Sequence, residues 1–259
     1  MRRAAGLLRA EVALLGRDPA PYVATILMPI VVIAFVAPAY KIISRGEGYE
    51  SASGAEHAVP AMAVMFLFFV VATLGFAFFR EFYWGTWPRL VVAGVTPLEA
   101  GVVKSLPFVV LALVQQAVLL GAGAALFDLH IAGSALGLVP VAIALCICLV
   151  GFALLVIAVA RTQQQLNSIQ ALTTMVFGGL GGALTPTSIL PGWAKAIAPG
   201  TPTYWAIDGY RCVILDGGGP NDVLRSYRGS STHGGDLRRR RSSSVPSTAS
   251  HERLPLAPL

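Results

Sequence analysis

Charge is scarce in this chain. Only 12% of its 259 residues are Asp, Glu, Lys or Arg, 55% are hydrophobic, and the mean hydropathy is +0.69. So little charge cannot clothe a soluble globule, which leaves an integral membrane protein. Short alternating segments of the kind that span membranes as strands are also missing, so the spans are helices and the expected fold class is all-α. The three cysteines offer neither a disulfide framework nor zinc spacing: Cys146 and Cys148 lie in one apolar run and Cys212 stands apart, all read as small buried hydrophobes. The four histidines form no His-x-x-x-His or Glu-x-x-His pattern, so no metal site is expected. An intramembrane enzyme would need a catalytic Ser, His or Asp pair inside its spans, and none is visible. No phosphate-binding G-x-x-x-x-G-K-[ST] occurs in the sequence. Nor is a cleavable signal peptide evident, because the first apolar run is long and no small-residue cleavage site follows it.

What the chain does have is long apolar runs. A hydrocarbon core about 30 Å thick needs roughly 20 apolar residues per helix. Five runs are read as spans, near residues 22–40, 59–79, 105–127, 131–160 and 162–184. The second ends at the pair Arg80-Glu81. The fourth is longer than a bilayer requires, so it is expected to tilt or to project at one end. The cluster Gly178-Gly179-Leu180-Gly181-Gly182 reads as a helix-packing surface.

Orientation follows from the basic residues. Arg2, Arg3, Arg9 and Arg17 precede the first span, Arg80, Arg89 and Lys104 lie between the second and third, and Arg161 follows the fourth. The other loops carry little net positive charge, so the N-terminus and the Arg80 loop are expected in the cytoplasm, with His57 and His130 in outer loops. In residues 3–15, Leu7, Leu8, Val12 and Leu15 recur at helical spacing beside arginines. That pattern fits a helix lying on the cytoplasmic leaflet in contact with lipid, or a plain basic leader to the first span. After residue 184, breakers alternate with aromatics through Pro186, Pro191, Trp193, Pro202, Tyr204 and Trp205. The segment reads as a re-entrant or interfacial hairpin at the outer surface, followed by a short helix over residues 204–215 that sets Asp208 and Arg211 about one turn apart.

Four stretches, in this order and spacing, resemble the permease subunits of ABC type 2 exporters, the branch that includes daunorubicin-type multidrug and polysaccharide exporters. They are Arg80-Glu81 to Gly85-Thr86, Pro97-Leu98-Glu99 with Lys104, Arg161-Thr162-Gln163-Gln164-Gln165, and the hairpin from Pro186 to Arg211. The resemblance covers most of residues 1–224 and implies a plasma-membrane exporter of a hydrophobic drug, lipid or glycan-type cargo. It implies a dimer of permeases driven by an ABC ATPase subunit that holds the ATP and Mg, with no cofactor in this chain. Arg80, Glu81, Gly85, Thr86, Pro97, Leu98, Glu99 and Lys104 would then form the coupling helix and its ATPase contact. Pro186, Pro191, Trp193, Pro202, Tyr204, Asp208 and Arg211 would form the outer hairpin or gate, Asp208 and Arg211 as a gate pair or a fold-holding pair. Gln115 and Gln116, the strongly polar side chains deep in the third run, would line a permeation path or make an interhelical hydrogen bond.

The family also implies a sixth span soon after Gly217–Pro220, yet residues 221–259 contain no run able to cross a membrane. The tail from Arg225 holds 7 of the 19 basic and 2 of the 13 acidic residues, including Arg238-Arg239-Arg240-Arg241. With five spans it would lie outside, against the positive-inside bias. One expectation is a reading-frame disruption near Arg225; the other is a natural, disordered basic tail at 225–259. A nucleic-acid partner is not expected, since no folded motif accompanies the arginine run. A truncated, non-transporting membrane scaffold remains the alternative function.

Overall fold

The computed structural model describes residues 2–17, 19–46, 49, 53–220 and 222; the basic tail at 225–259 lies outside the described residues. The fold is all-α. Its helices are α1 (Arg2–Arg17), α2 (Ala20–Gly46), α3 (Ala55–Tyr83), α4 (Trp87–Val92), α5 (Pro97–Leu126), α6 (Leu138–Val159), α7 (Gln163–Leu180), α8 (Gly192–Ile197) and α9 (Pro202–Ile214). Among the described residues, four helical segments are long and apolar enough to cross a membrane: α2, α3, α5, and α6 with the 3-10 turn that leads into it. α7, which is 18 residues long and opens with three glutamines, covers about 27 Å at 1.5 Å per residue, just short of a hydrocarbon core.

α3 is the centre of the bundle. Its most apolar stretch is 67% buried inside the protein, against 22% for α2 and 28% for α5, and it packs on α2, α5, α6, α7 and α9. The outer helices turn Phe35, Val110, Ile147 and similar side chains outward. Water would not tolerate that much apolar surface, whereas lipid is its natural solvent.

The helix ends differ from the edges of the apolar runs, and the physical reason is the same each time. Hydropathy marks where lipid stops, while backbone conformation marks where a helix stops. α3 does not end at Arg80-Glu81 but carries the pair in its last turn, and Gly85 then turns the chain at φ 63. α5 begins at Pro97, eight residues before the expected third span, because Thr96 and Glu99 make a reciprocal cap there. α6 does not take up the start of the fourth run, residues 131–137. Instead the N–H groups of Ala132 and Gly133 donate to the carbonyls of Ile214 and Val213, tying this segment to the end of α9. The glycine cluster packs closely, as expected, where Gly181 meets Thr203, and it also terminates α7: the helix stops at Leu180, and Gly182 takes φ 88.

Candidate functional site

At the α4 end of the bundle five side chains from three helices and one turn converge. Lys104 of α5 is fully buried, and its Nζ donates to Glu11 Oε1 of α1 and to Glu81 Oε1 of α3, the latter at 2.9 Å. Arg80 approaches the other oxygen of Glu11 at 3.6 Å. Thr86, in the turn before α4, donates from Oγ1 to the second oxygen of Glu81. Two acids and two bases therefore balance. The aromatic rings of Phe78, 5.7 Å from Lys104 Nζ, and Trp84, 5.3 Å from the Arg80 guanidinium, complete the surroundings. Such a cluster is worth little against an apolar replacement, but removing Lys104 strands the buried charge of Glu11.

The exposed part of this end is the elbow itself. Thr96 Oγ1 accepts from the Glu99 N–H, and Glu99 Oε2 accepts from the Thr96 N–H, so α5 starts at a fixed angle. Glu99 is thereby committed to the cap. Tyr83, Val92 and Leu98 stand out at 76%, 89% and 78% exposure, an apolar crest on either side of α4. Of the residues expected to touch a partner, Leu98 is presented outward, Pro97 starts the helix, and Gly85 makes the turn. Lys104 is an internal anchor that no partner reaches while the cluster is closed.

Glu11 was not among the expected site residues. Its signal was its position: three residues after Leu8 and four after Leu7, it falls within the apolar stripe of α1 rather than on its polar face. The structure buries Glu11 and leaves Val12 56% exposed, because the stripe is turned so that the acid meets α5.

At the opposite end, the hairpin closes over the termination of α7. Tyr40 Oη donates to the carbonyls of Ala183 and Leu184 at 2.9 and 2.8 Å. His57 lies in the first turn of α3 rather than in a loop; it is buried, with Nε2 3.0 Å from the Gly182 carbonyl. Thr203 donates to the Phe177 carbonyl at 2.6 Å, passing so close to Gly181 that a Cβ there would stand 1.9 Å from Thr203 Oγ1. Pro186 precedes a 3-10 turn, Pro191 caps α8, and Pro202 opens α9, each where a missing N–H costs nothing. Trp193 is exposed at this face. Asp208 and Arg211 both fall on α9 as expected; the Arg211 guanidinium lies 5.6 Å from the Tyr49 ring centre. Burial, and then the nearby Asp208 carboxylate, raise the Tyr204 phenol above its ordinary pKa.

Between the two ends, Gln116 is a clasp. Its amide donates to the Ala63 carbonyl at 3.1 Å and accepts from Tyr210 Oη at 3.1 Å, joining α5 to α3 and α9. This is the interhelical hydrogen bond that its place deep in the third run suggested. Gln115 is likewise fully buried, and neither of its amide atoms meets a hydrogen-bond partner among the described residues.

A family model described as "ABC-2 type transporter" matches residues 5–215. The linearmycin resistance permease protein LnrN of Bacillus subtilis (strain 168) is 27% identical over 191 residues, which cover 73% of this chain and 49% of the relative. This chain thus spans about half the length of the relative it matches. No solved structure matches the chain.

Proposed function

The chain belongs to the ABC-2 type transporter family, and we propose that it serves there as the transmembrane permease subunit of an exporter driven by a separate ABC ATPase. In this reading the α4 end faces the cytoplasm of a cell whose plasma membrane it crosses, the N-terminus lies on that side, and two permeases pair around the cargo path. ATP and Mg are bound by the partner chain. The cargo is hydrophobic and of drug, lipid or glycan type; the designation of LnrN as a resistance permease favours the drug.

The observation that carries the proposal is the neutral cluster of buried Glu11 and Lys104 with half-buried Arg80 and Glu81 beneath the exposed α4 elbow. A handle transmits force only if it is rigidly joined to what it moves. Here a push on α4 reaches α3 through Thr86 and Glu81, and α5 and α1 through Lys104 and Glu11. α3 in turn packs on most of the bundle, so displacement of the elbow rocks spans against one another as bodies rather than bending a loop.

The test is Glu81→Ala in proteoliposomes with the co-purified ATPase. The variant should reach the membrane at the wild-type level and retain ATPase binding, yet lose cargo uptake into inverted vesicles. Unchanged uptake would sink the assignment of the handle.

A further inference from the structure

A second feature of the α4 end shares Tyr83, Trp87 and Leu98 with the elbow. An open cavity of about 810 Å³ runs between α3, α4, α5 and α6, within the size range of ligand sites. Its inner part is made by Phe78, Leu154 and Ile157, its wall by Phe82 and Trp87, whose rings stack at 5.1 Å, and its rim by Arg161. We propose that this groove holds an anionic phospholipid, with an acyl chain against the aromatic wall and the phosphate at Arg161.

Depth selects the occupant. Ile157 and Leu154 lie two and five residues inside the end of α6 at Val159, about 3 and 7 Å inward at 1.5 Å per residue, and both belong to the apolar span that ends there, with Arg161 just beyond it. The inner part of the groove therefore lies at the level of hydrocarbon, where a soluble domain does not reach and a lipid tail always does.

Charge selects the headgroup. Arg161 is exposed and forms no ion pair among the described residues. The acids on the adjoining elements are committed elsewhere, Glu81 to Lys104 and Thr86 and Glu99 to the Thr96 cap. α7 starts just after Arg161 with Thr162 as its cap, adding the partial positive charge of a helix N-terminus at the same rim. Tyr83, also lining the groove, supplies the amphipathic ring that favours an interfacial level.

The experiment uses the full chain in vesicles with tail-diazirine probes of phosphatidylglycerol and phosphatidylcholine, each at trace level, followed by mapping of labelled peptides. Label on Phe78, Leu154 or Ile157 should be roughly fivefold higher from the phosphatidylglycerol probe, the factor one basic side chain contributes near an anionic surface. Arg161→Gln should equalise the two probes, and Ile157→Trp, which fills the groove, should lower both. Equal labelling by the two probes in the wild type would overturn the headgroup assignment. Label confined to the outward faces of α2 and α5, with none on the groove residues, would overturn the site itself. Neither readout depends on transport or on the ATPase.

Discussion

Substituting Lys104 by methionine removes the cation that touches both Glu11 and Glu81 while keeping much of its buried stem. Glu81 keeps Thr86 and its exposed side, but Glu11, only 1% exposed, is left with Arg80 at 3.6 Å as its nearest base. Stranding one member of a buried pair typically costs about 3–5 kcal/mol. For a chain of this size each kcal/mol moves the thermal midpoint by about 2–4 °C, so the midpoint of detergent-solubilised protein should fall by roughly 6–20 °C. Glu11→Gln added to Lys104→Met should recover part of that loss, since it neutralises the stranded charge, with a coupling of about 0.5–3 kcal/mol. Undocking of α1 would be read separately as faster tryptic cleavage at Arg9 and Arg17. A midpoint within about 2 °C of the wild type, with α1 still protected, would refute the claim that this cluster is a closed, charge-balanced anchor. So would further destabilisation by the added Glu11→Gln.

Gly181→Ala forces a methyl group to within 1.9 Å of Thr203 Oγ1 and 2.6 Å of the Phe177 carbonyl. It should cost about 1–3 kcal/mol in thermal unfolding, whereas Gly179→Ala, with open space at its Cβ, should stay within about 0.5 kcal/mol. Tyr40→Phe withdraws the donor shared by the Ala183 and Leu184 carbonyls; hydrogen exchange over residues 178–184 should rise, with a stability loss of about 1–3 kcal/mol. Thr96→Ala should lower stability by about 1 kcal/mol through loss of the cap, with faster exchange confined to the first turn of α5.

The membrane class and the long apolar helices were legible because lipid demands an unbroken apolar run, and that demand is written directly in composition. Helix termini were not, because caps and left-handed turns obey local backbone chemistry rather than hydropathy. Thr96-Pro97-Leu98-Glu99 was a readable cap that moved the start of α5 well ahead of its apolar run. Ala132 and Gly133 sit in an apolar stretch and yet bond to α9, a tertiary choice that no local pattern encodes. At the α4 end the sequence supplied Arg80, Glu81, Thr86 and Lys104 but not their partner Glu11, 93 residues from Lys104. An acid inside an apolar stripe was the clue, since such a residue must find a cation or leave the stripe. The two glutamines show the same limit: spacing places both deep in α5, but only the approach of Tyr210 and Ala63 makes Gln116 a clasp.

The most direct measurement of the central claim is photo-crosslinking in intact cells from benzoylphenylalanine placed at Val92 or Leu98 on the α4 crest, with Trp193 at the opposite end as the comparison site. An adduct is expected from Val92 and Leu98 to a chain bearing the G-x-x-x-x-G-K-[ST] phosphate-binding loop, and none from Trp193. An ATPase adduct from Trp193, with Val92 and Leu98 silent, would contradict the claim.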